Sequence, residues 1–264
     1  MGSFRFLCCV GVLSLLTACS GETIRGDNTA AGNGMDYAER AGAVLDDPAR
    51  PADDHSDDAL RKPANVLAFI GVEPGMTVFE MEAGSGYYTE LLSRLVGPEG
   101  EVVMQNPERF DQFLGDAVPN RVNGRLDNVR ISKTDFDNLD AEDSSVDIVT
   151  WMLGPHELYF SPSEGVSFGG VEDTYAEIVR ILKPGGLFVA LDHAAASGAP
   201  ETTGGTTHRI DPAIVRGLAT DAGLVFAGES DVLRNADDNY DTNVFDPSVR
   251  RKTDRFLMKF TKPE

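Results

Sequence analysis

The chain has 264 residues, 41% of them hydrophobic and 25% charged, enough for one sizeable α/β domain with appendages but crowded for two. Its formal net charge of −20 excludes a phosphate-backbone partner, because nucleic-acid binding depends on clustered Lys and Arg. The acidity reads instead as a well-solvated surface.

The N-terminus has the pattern of an export signal, with Arg5 as a thin basic region and an apolar run from Phe6 to Leu16 too short to span a bilayer. It ends in Leu16-Thr17-Ala18-Cys19, which resembles the bacterial lipobox. Residues 1–18 are therefore expected to be a lipoprotein signal peptide, and Cys19 the lipidated N-terminus of an exported, membrane-anchored protein. By the same resemblance, Ser20 in place of an acidic residue after Cys19 implies sorting to a periplasm-facing outer membrane if the bacterium is diderm. All three cysteines, Cys8, Cys9 and Cys19, lie in this segment, so the remainder offers no disulfide or thiol nucleophile. Residues 19–52, rich in Gly, Ala, Asp and Asn, read as a flexible spacer, and residues 53–264 as the domain.

From Asp53 to Gly71 the pattern is helical, with Pro63 opening a second helix whose Val66, Leu67 and Ile70 share a face and Gly71 closing it. Five strand-then-helix repeats follow, with strands expected at Thr77–Met81, Glu101–Gln105, Val129–Ser132, Val146–Met152 and Leu187–Leu191. Amphipathic helices are expected from Tyr87 and over Val171–Leu182, the second stopped by Lys183-Pro184-Gly185-Gly186. Asp211 caps another helix with Pro212 at its first position, Leu224–Ala227 and Phe256–Phe260 form the last strands, and Asn235–Arg251 between them is a polar surface loop.

In an open parallel sheet, ligands bind beyond the carboxyl ends of the strands. The first strand runs through Glu80, Glu82 and Ala83 into Gly84-Ser85-Gly86 and a helix opening at Tyr87, a turn whose amides suit a carboxylate. Asn106 leaves the second strand, and Asp135-Phe136 the third. Three histidines follow later strands: His156 in Gly154-Pro155-His156-Glu157, His193 after Asp192, and His208 before Arg209. One convergent pocket would explain their placement, with a histidine as base. His156, Glu157, Asp192, His193 and His208 are also potential metal donors, but no short spacing such as His-Glu-x-x-His is present and no metal is expected.

These turns, with Leu60-Arg61-Lys62-Pro63, Val72-Glu73-Pro74-Gly75-Met76-Thr77-Val78, Lys183-Pro184-Gly185-Gly186, Asp192-His193, His208-Arg209-Ile210-Asp211 and Thr253-Asp254-Arg255-Phe256, resemble the predicted exported methyltransferase family of bacteria, within the S-adenosylmethionine-dependent seven-strand class. Pro74–Val103 is also similar to protein-isoaspartate methyltransferases. The resemblance implies a Rossmann-like, three-layer, mostly parallel seven-strand sheet with its last strand antiparallel between strands five and six. It implies S-adenosylmethionine as donor, held by Glu80, Glu82, Ala83, Gly84, Ser85, Gly86, Asn106 on the ribose, and Asp135 and Phe136 at the adenine. His156, Asp192 and His193 then form the catalytic side, with Asp192 orienting a histidine base, and Tyr87, His208 and Arg209 face a small-molecule or protein acceptor. Glu82 stands where this class has glycine. An unscreened like-charge contact there at about 4 Å costs on the order of 4 kcal/mol at an effective dielectric of about 20. A non-catalytic lipoprotein of the same fold, binding a small molecule or an envelope partner, is the alternative; a metal-dependent hydrolase is a third reading.

Overall fold

A computed structural model describes residues 37–264; the expected signal peptide, Cys19 and the start of the expected spacer lie outside the described residues. Apolar runs bounded by Gly and Pro pair into one seven-stranded sheet. Its strands are β1 (Thr77–Met81), β2 (Glu101–Gln105), β3 (Val129–Ser132), β4 (Val146–Met152), β5 (Leu182–His193), β6 (Val225–Ser230) and β7 (Arg255–Thr261), in the order β3-β2-β1-β4-β5-β7-β6. The first five are parallel, and β7 inserts antiparallel between β5 and β6, as the resemblance implied.

The helices are α1 (Tyr37–Leu45), α2 (Ala52–Arg61), α3 (Pro63–Ile70), α4 (Tyr87–Val96), α5 (Asp111–Leu114), α6 (Ala117–Val122), α7 (Val171–Ile181), α8 (Thr203–Thr207) and α9 (Pro212–Asp221). Strand alternation divides the core into two layers. Phe79, Val149, Trp151, Phe188 and Phe260 face α7 and α9, while Val78, Ile148, Met152 and Val189 face α3 and α4.

Two expectations are corrected. The spacer does not run to residue 52, because α1 is part of the fold: Tyr37 donates to the Leu67 carbonyl at 2.5 Å, and buried Arg50 holds Asp58 with two bonds of 2.9 and 3.1 Å. The Lys183-Pro184-Gly185-Gly186 turn does not precede β5 but lies inside it. Leu182 already pairs with Val146, and the register shift before Ile148 takes up the turn, with Gly185 at φ +75°. Asp211 caps α9 as expected, accepting from Ala213 N at 2.8 Å. Among the described residues no helix is long and apolar enough to cross a membrane.

Candidate active site

The donor side grows from the end of β1. Glu82, Gly84 and Gly86 all have positive φ (50°, 58° and 85°), so the chain reverses sharply into α4. A glutamate in this left-handed region costs about 1–2 kcal/mol. The end of β2 clamps the turn: Gln105 Oε1 accepts from Glu82 N (2.8 Å), the Gln105 carbonyl from Ala83 N (2.9 Å), and Asn106 Oδ1 from Gly84 N (2.8 Å), while Asn106 Nδ2 donates to the Gly84 carbonyl (3.1 Å). This corrects the ribose assignment of Asn106, whose buried amide is committed to holding the glycine turn. Arg121 Nε donates to the Ser85 carbonyl at 3.0 Å, and a Cβ at Gly86 would meet Arg121 Cγ at 2.9 Å. Gly86 must therefore stay glycine for steric as well as conformational reasons.

A cleft of about 250 Å³ opens over this turn, lined by Arg61, Glu80, Glu82, Gly84, Tyr88 and Met152 among others. Tyr87 forms part of its wall; its hydroxyl donates to Asp58 at 2.5 Å, and the Arg61 guanidinium lies 4.4 Å over its ring. Glu80 is buried and accepts from Thr89 Oγ1 at 2.5 Å; burial pushes its carboxyl up to about 8 despite that bond. A buried carboxyl with no cation in hydrogen-bond contact, in a cleft also lined by the Arg61 guanidinium, suits the ammonium and carboxylate ends of an amino-acid group. The residues present therefore fit the methionine end of a sulfonium donor.

Glu82 turns toward β4, where Trp151 Nε1 donates to its Oε2 at 2.9 Å. Burial, followed by the nearby Glu157 charge, pushes the Glu82 carboxyl well above its usual range. A neutral Glu82 weakens the like-charge objection. Gly154 permits this contact, since a Cβ there would lie 1.9 Å from Trp151 Nε1 and 2.2 Å from Glu82 Oε2. Phe136, expected at the adenine, is instead fully buried against Trp151 (5.0 Å) and Phe168 (5.9 Å), because its apolar ring completes the core beneath the loop. Asp135 is half-buried at the exit of β3.

Beyond β4, a 3-10 turn over Pro155–Tyr159 carries His156 and Glu157. Fully buried Asp192, at the end of β5, accepts from the His156 backbone N (2.8 Å) and lies 2.8 and 3.0 Å from its Nδ1. Asp192 thus orients His156. Helix α8 packs closely on this turn through Gly204, where a Cβ would sit 2.5 Å from the His156 carbonyl oxygen. The approach delivers His208, itself at φ +54°, with Nδ1 3.2 Å from His156 Nε2. Glu157 Oε1 completes the group at 3.2 Å from His156 Nε2 and 3.3 Å from His208 Nδ1. Burial works to lower the His156 pKa, but the charge of Asp192, with Glu157, outweighs it and raises it to about 10. Burial likewise works to raise Glu157, and its bonds to His156 and His208 outweigh it, holding the carboxyl at about 2.

His193 is 6.2 Å from His156, ring centre to ring centre, with Nδ1 2.6 Å from Thr253 Oγ1. Burial, then the neighbouring positive charge of His156, Arg255 and Arg209, keeps it well below the usual histidine range and so neutral. Arg209 does not face an acceptor. It is fully buried, forks onto Asp238 at 2.7 and 3.0 Å and donates to the Ala194 and Thr242 carbonyls, pinning the 235–251 loop to the sheet. A guanidinium this deep needs a matched carboxylate, and Asp238 supplies it. The residues missing from the sequence reading of the site are Gln105, Trp151, Arg61 and Asp58; Gln105 and Trp151 sit at buried positions of β2 and β4, where a polar atom needs a partner.

Residues 51–142 match the family model described as Protein-L-isoaspartate(D-aspartate) O-methyltransferase. The chain is 30% identical over 127 residues to a ubiquinone/menaquinone biosynthesis C-methyltransferase of Stutzerimonas stutzeri, covering 48% of this chain and 45% of that protein. It is 26% identical over 217 residues to an arsenite methyltransferase of Halobacterium salinarum, covering 82% of this chain and 49% of that protein. The chain thus spans about half the length of these curated relatives. A SAM dependent methyltransferase from Aquifex aeolicus superimposes with a TM-score of 0.56 at 21% identity, over 86% of this chain and 98% of its own, a likeness of fold. The chain is thus similar in part of its sequence to methyltransferases and has the seven-strand fold of a SAM dependent methyltransferase.

Proposed function

We propose that this protein is an S-adenosylmethionine-dependent methyltransferase, exported and tethered to the cell envelope through Cys19, that modifies a small-molecule or protein acceptor presented at the His156–His193–His208 side of the site. The observation that carries the reading is the β1 turn. Buried Glu80 and the Gly84-Ser85-Gly86 turn, left-handed at both glycines, open onto a cleft also lined by Arg61, in a chain similar to methyltransferases. Glu80 faces the donor's positive charge, Arg61 its carboxylate, and the clamp by Gln105 and Asn106 keeps the turn from relaxing. S-adenosylmethionine supplies an activated methyl group. In-line displacement asks the protein chiefly for positioning. His193, neutral and oriented by Thr253, is suited to take the acceptor's proton, while Asp192 fixes His156.

Calorimetric titration of the full chain with S-adenosylmethionine and S-adenosylhomocysteine tests this: saturable heat supports it, and no heat and no thermal shift at millimolar ligand would sink it. The tether rests on the pattern from Arg5 to Cys19, and an unmodified Cys19 in the mass of the native protein removes it. The commitment of Asn106 to the turn favours a second reading, a non-catalytic lipoprotein that uses the same cleft to bind. Saturable binding without methyl transfer to any acceptor fraction of the envelope would select it.

A further inference from the structure

We propose that His156, Glu157 and His208 bind a divalent metal ion of the zinc class, at the acceptor end of the donor cleft. The three ligand atoms, His156 Nε2, His208 Nδ1 and Glu157 Oε1, stand 3.2, 3.2 and 3.3 Å apart, nearly an equilateral triangle. Zinc bonds nitrogen and carboxylate oxygen at about 2.0–2.2 Å, so neighbouring ligands lie roughly 3.4 Å apart around a tetrahedron and about 3.0 Å apart on an octahedral face. The observed edges fall between these values. One cation about 1 Å above the triangle therefore reaches all three atoms at ordinary bond lengths.

Asp192 brackets His156 Nδ1 with both oxygens, so Nε2 is the ring nitrogen turned toward Glu157 and His208. There it meets a carboxylate oxygen and a second imidazole nitrogen. A cation serves all three at once. The Asp192–His156 pairing is also the carboxylate–histidine support that metal-bound imidazoles use to fix tautomer and ring orientation. Phe160 and Phe245, 4.7 and 4.9 Å from the His208 ring centre, form an apolar collar. The left-handed backbone at His208 and the glycine contact of α8 are local costs that bring this ligand into place.

The ligands come from two loops 51 and more residues apart, so they carry no spacing signature. With three protein ligands the ion keeps an open position, which suits an acceptor's oxygen, nitrogen or sulfur. That role rests on the methyltransferase reading; the metal site does not. In it, the acceptor X–H gives its proton to His193 and binds the ion as X⁻. An electron pair on X then forms the X–C bond while the C–S pair returns to sulfur, leaving a neutral thioether.

The test uses the full chain stripped with chelator, then loaded with Zn²⁺ or Co²⁺ alone. One equivalent retained through desalting, with visible Co²⁺ ligand-field bands of nitrogen and oxygen character, is expected. His208→Ala and Glu157→Gln should weaken Zn²⁺ binding at least about 100-fold, and Asp192→Asn roughly 10–100-fold. Glu157→Gln keeps the side-chain volume, and circular dichroism confirms that each variant is folded. Cys8, Cys9 and Cys19 are unchanged in these variants, so metal held by thiols survives in them. Substoichiometric metal, sulfur-type Co²⁺ bands, or equal affinity in His208→Ala and Glu157→Gln overturns the site. Donor titration is read separately: metal binding without donor binding defeats only the methyltransferase reading, and the converse only this one.

Discussion

Glu80 and Glu90 are both buried and sit ten residues apart, one ending β1 and the other on α4, yet their surroundings differ in kind. Glu90 is ringed by guanidiniums, with Arg94 at 2.6 Å, Arg125 at 2.9 Å and Arg121 at 3.3 Å, and Arg121 is itself held by Asp54 at 2.7 Å. Burial works to raise its pKa, but these bonds outweigh it and the carboxyl stays below its usual range. Glu80 has Thr89 and no cation in contact, and burial takes it up to about 8. A buried charge compensated within the chain belongs to the architecture. A carboxyl that burial keeps protonated beside a cleft is prepared to ionise for a ligand that brings the opposite charge.

Substitutions should separate the two. The largest loss is expected from Glu90→Ala, which removes the buried carboxylate that three arginines share: about 3–5 kcal/mol by urea denaturation at neutral pH. Because the folded pKa of Glu90 is depressed, its contribution is present above the unfolded carboxylate value of 4.5 and lost as pH falls through the folded one, so wild type and variant should converge in acid. Glu80 has the opposite sign. Its folded pKa is raised, so stability is intact below 4.5 and is lost as pH rises toward about 8. Glu80→Gln should therefore gain a few kcal/mol at pH 8, flatten that slope and weaken S-adenosylmethionine binding at least about tenfold by calorimetry. Equal pH profiles for wild type and Glu80→Gln would erase the distinction.

Gly154→Ala should cost about 1–3 kcal/mol of stability by forcing Trp151 and Glu82 apart. It should also lower methyl-transfer kcat more than it changes donor affinity, since the contact joins the two sides of the site. Asp211→Ala, remote from both glutamates, should lose only the α9 cap, about 1 kcal/mol in thermal or urea melts with donor binding unchanged.

Strands β1 to β4 match the sequence expectation residue for residue, because buried parallel strands are short apolar runs closed by Gly, Pro or Asp. Helix α1 escaped because its contacts run through Tyr37, Val44 and Leu45 amid a Gly- and Ala-rich composition. At the site, the convergence of His156, His193 and His208 was visible from two strand exits and the loop adjoining them. Their pairing was not, since it depends on how closely Gly204 lets α8 approach. Asn106 and Arg209 were misassigned for one reason: sequence position identifies the strand end but not which neighbour meets the side chain's hydrogen-bonding demand. Asn106 meets a turn and Arg209 a buried aspartate.

Strand β4 alternates between the two layers, with Trp151 toward one and Met152 toward the other, so one strand supplies Met152 to the donor cleft and Trp151 to the Glu82 contact. Its length is consequently inflexible. Deleting or inserting one residue between Ile148 and Gly154 exchanges the faces of everything after it and moves His156 by a full pleat. The exposed stretch from Ser161 to Gly165 touches neither layer of the core and should accept such changes. Homologues of this chain should thus vary in length after residue 160 and hold it constant before.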